Sequence, residues 1–200
     1  ECQSVRLNSC DIESSEFAWR CRDIEIRNSS LVSEYPFFEC KNVKVDNLTM
    51  NAKYSFQYVE NMEVRNSCFK TKDAFWHAKD VTVYDSVLEG EYLAWYSENL
   101  RLVRCHIKGT QPFCYCKGLI LEDCTMENLE PKYHFDSRFF LFKKVKQKQG
   151  NTPKITRLNI RITKKYLAIH RKVSTLSPSR TTIHQVSSQE PKTFQSLSYP

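Results

Sequence analysis

The chain has 200 residues, of which 40% are hydrophobic and 26% charged, enough for one domain with a sizeable core. Its formal net charge of +7 averages two unlike parts. Residues 1–137 hold 16 Lys and Arg against 22 Asp and Glu, a net of −6, whereas residues 138–200 hold 14 against one, a net of +13. No stretch is apolar enough to span a membrane, and the nine cysteines include no CxxC pair, so we expect no membrane span, metal or cofactor.

A 19-residue repeat begins near the first residue and continues to about residue 130. Its first position is always aliphatic or Met, as in Val5, Ile24, Val43, Met62, Val81, Leu100 and Leu119. A turn-forming residue precedes each later start: Asp23, Asn42, Asn61, Asp80, Asn99 and Gly118. Seven copies in register without an insertion predict a repeat architecture.

Each copy predicts a short alternating strand, such as VTVYDSVL (81–88), then a polar bend and a second short strand, such as LAWYS (93–97). A unit of this size cannot bury its apolar side alone, so successive copies must stack. The patterns of leucine-rich and hexapeptide repeats are absent. The sequence therefore predicts an all-β fold, a right-handed single-stranded parallel β-helix of about seven 19-residue coils over residues 1–137.

The segments NVKVDNLTM (42–50), DVTVYDSVL (80–88) and LILEDCTM (119–126) alternate with AFWHAKD (74–80) and LAWYSEN (93–99). Over about residues 3–130 this arrangement resembles domain-of-unknown-function family 3737. The resemblance implies a pectin-lyase-like β-helix of the kind found mainly in bacteria. Because the family is functionally uncharacterised, the resemblance supplies no catalytic residues.

The repeat register is lost where the next start would fall, at Arg138, and acidic residues nearly vanish beyond it. We expect residues 138–200 to form a basic, largely irregular tail, disordered from about 174. Three interpretations stay open: a tail that binds nucleic acid or another anionic partner, a solvated tail without a partner, and a non-native segment. The aromatic run RFFLFKKV (138–145) is the candidate cap for the last coil.

Stacking turns equal positions of the coils into rows about 4.8 Å apart. One row reads Arg20, Glu39, Tyr58, His77, Tyr96, Tyr115 and His134, and the row two residues earlier reads Ala18, Phe37, Phe56, Phe75, Ala94, Phe113 and Lys132. The row between them reads Trp19, Phe38, Gln57, Trp76, Trp95, Cys114 and Tyr133. Pleating of this predicted second strand puts the two sets on opposite faces, and we expect the Trp row to face inward and the Tyr/His and Phe rows outward. The inverse assignment of the two faces stays open.

An exposed row of aromatic residues is unusual, since solvated faces prefer charge, and such a row on a rigid β surface can stack on sugar rings. The candidate ligand-binding residues are Phe56, Tyr58, Phe75, His77, Tyr96, Phe113 and Tyr115. The alternative is that this row only packs, beneath a loop or against a partner subunit. A further row through Tyr35, Tyr54 and Tyr92 is a candidate extension of the surface.

The cysteines also fall into rows, Cys10 with Cys105 and Cys124, and Cys21 with Cys40 and Cys116. Both positions should face inward, where thiols serve as small apolar core residues. This use favours a reducing compartment, the cytoplasm. The chain opens within the repeat and reads as a fragment, so the lack of a signal peptide does not by itself locate it. The turn residues Asn42, Asn61 and Asn99 are expected to form an amide ladder.

The sequence contains no recognisable catalytic constellation. Acids that could pair on neighbouring coils are few, and the best are Asp73 with Glu89 and Glu91. His77 beside Tyr96 could supply a base and an acid, but a histidine in a tyrosine row is more often a packing or surface residue. We assign no catalytic residue.

We therefore expect a non-catalytic binding or scaffold module, with a glycan as the candidate partner. The first alternative is a carbohydrate-active enzyme, a polysaccharide lyase or glycoside hydrolase, whose catalytic parts lie outside this sequence. The second is binding of an anionic partner by the tail, which is the one route by which nucleic acid would be bound. The sequence leaves the oligomeric state open.

Overall fold

A computed structural model describes the backbone of residues 1–127, 141–143, 145–149 and 152–158, and all regular structure there is β. The strands are β1 (Gln3–Asn8), β2 (Asp11–Phe17), β3 (Arg22–Pro36), β4 (Lys41–Tyr54), β5 (Glu60–Arg65), β6 (Cys68–Lys72), β7 (Lys79–Tyr84), β8 (Val87–Glu89), β9 (Glu98–Val103), β10 (His106–Lys108), β11 (Ile120–Glu122), β12 (Thr125–Glu127), β13 (Leu141–Lys143), β14 (Val145–Gln149) and β15 (Thr152–Leu158). Along these ranges the chain holds no helix that could serve as a membrane span.

Strands of successive coils pair in parallel, one full repeat apart. Val43 of β4 pairs with Met62 of β5, which pairs in turn with Val81 of β7, an offset of 19 residues at each step. Pairing residues of like type along the coil axis puts every aliphatic row on the inside, and the repeat starts from Ile24 to Leu119 are buried. The predicted all-β parallel solenoid of about seven coils is confirmed.

A column of phenylalanines runs up the core. Phe37, Phe56 and Phe75 are completely buried, and their rings stack with centroids 4.9 and 5.0 Å apart. Stacked aromatic pairs contribute beyond the area that they bury, by about 0.5–1.5 kcal/mol each. This column ties consecutive coils together on the side of the solenoid where the candidate ligand-binding residues lie.

The predicted second strand of each coil is wrong, because that segment is a turn. Residues 74–77 and 93–96 are turns, and two residues of each have a left-handed backbone, for example Phe75 (φ 60°) and His77 (φ 53°). Since the segment is not pleated, the inward and outward directions derived from strand alternation do not apply. The second strand of the coil lies earlier, in segments such as β8.

The turn before each coil carries the expected amide ladder. Asn61 donates from Nδ2 to Oδ1 of Asn42 at 2.8 Å, and Asn42 donates in the same way to Asp23. Asn99 donates to Asp80 two coils further on. All five residues have φ near +56°, a conformation that Asn and Asp tolerate better than most residues.

The sheet continues past residue 137, where loss of the repeat register was predicted. β13 pairs in parallel with β11 and β14 with β12, at an offset of 21 residues. Two additional residues in the connection therefore precede an eighth layer. β15 then pairs antiparallel with β14 as a hairpin. The aromatic side chains of the predicted cap (138–145) lie outside the described residues. The remaining residues of the predicted tail lie outside the described ranges.

Candidate binding surface

The structure separates the seven candidate residues into two groups. Phe56, Phe75 and Phe113 are fully buried and belong to the core, so their predicted place on a binding surface is wrong. The cause is the turn described above, in which the Phe residue and the residue two positions later both have a left-handed backbone. This turn directs the Phe ring inward, whereas a pleated strand would have placed both residues on one face. The four others are exposed and form what we call the aromatic strip: Tyr58, His77, Tyr96 and Tyr115.

The aromatic strip is a continuous ladder of parallel rings. The centroid of His77 lies 5.1 Å from that of Tyr58 and 5.0 Å from that of Tyr96, and Tyr96 lies 4.8 Å from Tyr115. The ring planes differ by only 1°, 6° and 9°. The tyrosines nonetheless leave 41–46% of their surface exposed. The ring faces that point along the strip are therefore covered by the neighbouring rings, and the strip presents its ring edges to solvent.

Two tryptophans border the strip. Trp76, predicted to be interior, is 37% exposed, and its ring lies nearly parallel to His77 at 6.0 Å. Trp95 is half-buried and meets Tyr115 edge to face at 6.0 Å, while its Nε1 donates to the carbonyl oxygen of Gln111 at 2.6 Å. The exposed apolar surface thus extends one residue to the N-terminal side of the ladder.

A row of alternating charges borders the strip on the other side. We call this the charge row, and its members are Lys41, Glu60, Lys79, Glu98 and Lys117, each paired with the next across adjacent coils. Lys41 Nζ lies 2.6 Å from Glu60, and Lys117 Nζ lies 3.0 Å from Glu98. Lys79 stands between two glutamates without an ion pair to any described residue. A shallow depression near the N-terminal coils is lined jointly by Tyr58, Glu60 and Lys41, so both rows share one surface.

The electrostatics of the strip favour a neutral imidazole. Partial burial between two phenol rings lowers the pKa of His77, and the nearby carboxylate of Glu98 opposes that shift without cancelling it. The same row continues towards the N-terminus as Arg20 and Glu39, whose side chains form an ion pair at 2.8 Å. The strip therefore begins where the row changes from charged to aromatic residues.

The other residues considered for catalysis are held in structural contacts. Lys108 Nζ lies 2.9 Å from Glu89, and Lys72 lies 3.9 Å from Glu91. Burial raises the pKa of Asp73, which stands on the neighbouring coil. His77 and Tyr96 meet through their ring faces. Among the described residues no group of three His, Cys, Asp or Glu side chains is arranged to hold a metal ion.

The cysteines behave as core residues. Cys21, Cys40, Cys105, Cys114, Cys116 and Cys124 are buried, Cys10 and Cys68 are partly buried, and none of the nine forms a disulfide. Burial raises the pKa of the Cys40 thiol to about 11 and that of Cys116 to about 12. The predicted inward thiol rows are confirmed for all members except Cys10, which is only partly covered.

Sequence reasoning missed the charge row, although its signal is plain once the coils are aligned. The alternation of Lys and Glu at 19-residue spacing is visible in the sequence. It lies two residues after the strip in every coil, on the same exposed side. Together the two rows and the tryptophans make one open surface of aromatic and charged side chains.

The chain is similar to one protein family and, distantly, to a solved structure. No curated protein matches the chain. One solved structure, that of the plasmid-mediated fluoroquinolone resistance protein QnrB1, is similar at 12% sequence identity, covering 74% of this chain and 91% of that one with a TM-score of 0.23. The sequence profile of the family described as protein of unknown function (DUF3737) matches residues 1–139. The chain therefore belongs to the DUF3737 family.

Proposed function

We propose that this chain is a non-catalytic binding or scaffold module that contacts its partner through the aromatic strip. One observation carries the proposal: four stacked aromatic rings lie in line on successive turns of the solenoid and remain exposed, where a solvated face would carry charge. The coils before the strip show the ordinary alternative, since the same row there holds the Arg20 and Glu39 ion pair.

A carbohydrate is the ligand class proposed from the sequence, and the geometry narrows how it would bind. Stacking a sugar on an aromatic residue requires a free ring face, and the inner faces of the strip are occupied by neighbouring rings. A glycan would therefore meet the phenol hydroxyls and the ring edges, with Trp76 as the exposed indole beside them. A protein partner with a flat surface is the second ligand class that this geometry suits.

A titration tests the carbohydrate form of the proposal. The full chain is titrated with neutral and acidic oligosaccharides while the fluorescence of the tryptophans is followed. Binding that Tyr96→Ala weakens at least about tenfold, equal to 1.4 kcal/mol, supports it. Tyr84→Ala is the matched control, because Tyr84 lies on another side of the coil under Arg65. If no oligosaccharide binds, or if both variants bind alike, the strip is not a carbohydrate site.

The thiols support a cytoplasmic location, which we propose on their account. None of the nine cysteines forms a disulfide, and six lie in the core. Thiols in this number persist in reducing compartments. The bacterial, pectin-lyase-like character of the relatives stays a proposal that rests on the sequence resemblance.

A further inference from the structure

We propose that the partner of the aromatic strip is a second copy of this chain, docked about a two-fold axis that passes between the coils of His77 and Tyr96. The inference rests on the proposed function, because it names the partner of the same surface. It is carried by the order of charges beside the strip, which is complementary to itself when the coil order is reversed.

The symmetry can be worked out from the rows. A two-fold axis that lies in the interface and runs along the strands reverses the order of the coils but keeps each row opposite itself. With the axis between the coils of His77 and Tyr96, His77 of one copy faces Tyr96 of the other, and Tyr58 faces Tyr115. In the bordering row, Trp76 faces Trp95, so the exposed apolar groups meet one another.

The charge row obeys the same operation. Lys79 of one copy faces Glu98 of the second copy, and Glu60 faces Lys117, so every opposed pair within these four coils has opposite signs. A shift of the axis by half a coil, onto either His77 or Tyr96, would instead oppose residues of like charge. The charge pattern thus selects one register, and isologous contacts require such self-complementarity.

The lack of an ion pair at Lys79 within the described part of its own chain agrees with this arrangement. Glu60 and Glu98 are already paired with Lys41 and Lys117, which leaves Lys79 without an ion pair to any described residue of its own chain. In the two-fold assembly its ammonium group gains a carboxylate from the second copy. An edge-on ladder of parallel rings also suits a sheet-like partner with the same spacing of about 4.8 Å, which a second solenoid supplies.

The contact is small. Four coils at about 4.8 Å spacing extend for only about 15–20 Å along the axis, at the low end of specific interfaces. We therefore expect a dimer that dissociates in the range of about 1–100 μM rather than an obligate one. Sedimentation velocity over a dilution series of the full chain measures this equilibrium directly.

Charge reversal tests both the contact and its register. Lys79→Glu places two glutamates opposite each other in the homodimer, and Glu98→Lys places two lysines opposite each other, so each variant alone should dimerise at least tenfold more weakly. Mixed in equal amounts, the two variants form a heterodimer in which every opposed pair again has opposite signs. Its dissociation constant should return to within about threefold of that of the wild-type chain, about 0.7 kcal/mol.

Lys44→Glu is the matched control. Lys44 is exposed and stands between Glu25 and Glu63 on neighbouring coils, just as Lys79 stands between Glu60 and Glu98, but it lies three residues further along the coil than the charge-row member Lys41, past the turn at Asn42. It introduces the same repulsion within the chain and should leave dimerisation unchanged. Urea unfolding of all variants verifies that they remain folded at the assay temperature.

The outcomes separate this inference from the proposed function. Dimerisation that both single variants weaken and their mixture restores supports the two-fold contact. A wild-type chain that stays monomeric at about 100 μM, or a mixture that stays monomeric, overturns it. If oligosaccharide binding that depends on Tyr96 persists in that case, the strip is still a binding surface and only the second copy is wrong. If neither is found, both proposals fail.

Discussion

Phe75 and His77 stand two positions apart on one turn, and both have a left-handed backbone, yet Phe75 is completely buried while His77 lies on the surface. The turn thus splits two aromatic rows that a strand would have placed on one face. One row becomes the phenylalanine column of the core, and the other becomes the aromatic strip. The remaining properties of the surface follow from this division.

The core column should dominate stability on this side of the solenoid. Phe75→Ala removes a fully buried ring stacked on Phe56 at 5.0 Å, and we expect a loss of about 3–5 kcal/mol in the free energy of unfolding. Tyr96→Ala removes an exposed ring and should cost about 1 kcal/mol. Urea titrations followed by circular dichroism measure both. Equal losses would show that the two rows are not divided between core and surface.

Gly118 is the one described position of the turn ladder that lacks a side chain. Its φ of +70° lies in the region that the Asn and Asp of the other coils adopt, and a Cβ added there would lie 2.7 Å from Asn99 Oδ1, so the amide of Asn99 must shift to admit a side chain. Gly118→Asn should extend the amide ladder after this shift and stabilise the chain by about 0.5 kcal/mol, since Asn tolerates the positive φ and restricts the unfolded chain.

A β-branched residue at the same position provides the comparison. Gly118→Val has the same restricting effect on the unfolded chain but is strained at a positive φ and carries no amide. Thermal unfolding of both variants measures the difference, and Gly118→Val should be less stable than the wild-type chain. A Gly118→Asn variant no more stable than wild type would show that the ladder ends at Asn99.

Protonation of His77 should weaken the folded chain. Burial between Tyr58 and Tyr96 lowers its pKa below the ordinary value of 6.5, so the unfolded chain takes up the proton more readily than the folded one. Stability is therefore unaffected above pH 6.5 and falls as the pH drops through that value towards the folded pKa. His77→Gln should remove this part of the pH dependence. An NMR titration of the imidazole that gives a pKa of 6.5 or higher would contradict it.

The rates at which the thiols react should follow their burial. Alkylation of the native chain at about pH 8, read out by mass spectrometry, should be fastest at Cys2, which is exposed, and slower at Cys10 and Cys68. Cys40 and Cys116 should react only on unfolding, because their pKa values of about 11 and 12 leave almost no thiolate. Rapid labelling of either would mean that the coils open locally.

The 19-residue period made the strand pairing predictable, because equal positions such as Val43, Met62 and Val81 must stack if each row is to be buried. The turn was not predictable in the same way. Left-handed positions are usually marked by Gly, Asn or Asp, whereas here they hold Phe75, His77, Ala94 and Tyr96. Their bulky side chains imitate a strand, and that is why the sequence pattern predicts the wrong side for the Phe row and for Trp76, whereas Gln57 and Cys114 of the Trp row are buried as predicted.

The extra layer beyond residue 137 was hidden for a related reason. β13 and β14 follow their partners by 21 residues rather than 19, so the period is broken although the pairing continues. A search at fixed spacing cannot find such a coil. The acid-poor composition of this region also favours the prediction of an irregular tail over that of a further coil.

The central claim is that the aromatic strip is a contact surface, and a triple substitution tests it most directly. The variant Tyr58→Ser, Tyr96→Ser and Tyr115→Ser removes the exposed rings while the phenylalanine column beneath them is retained. Sedimentation velocity should show concentration-dependent association for the wild-type chain and a monomer for the folded triple variant. Association that is unchanged in the triple variant would contradict the account and place the contact elsewhere on the solenoid.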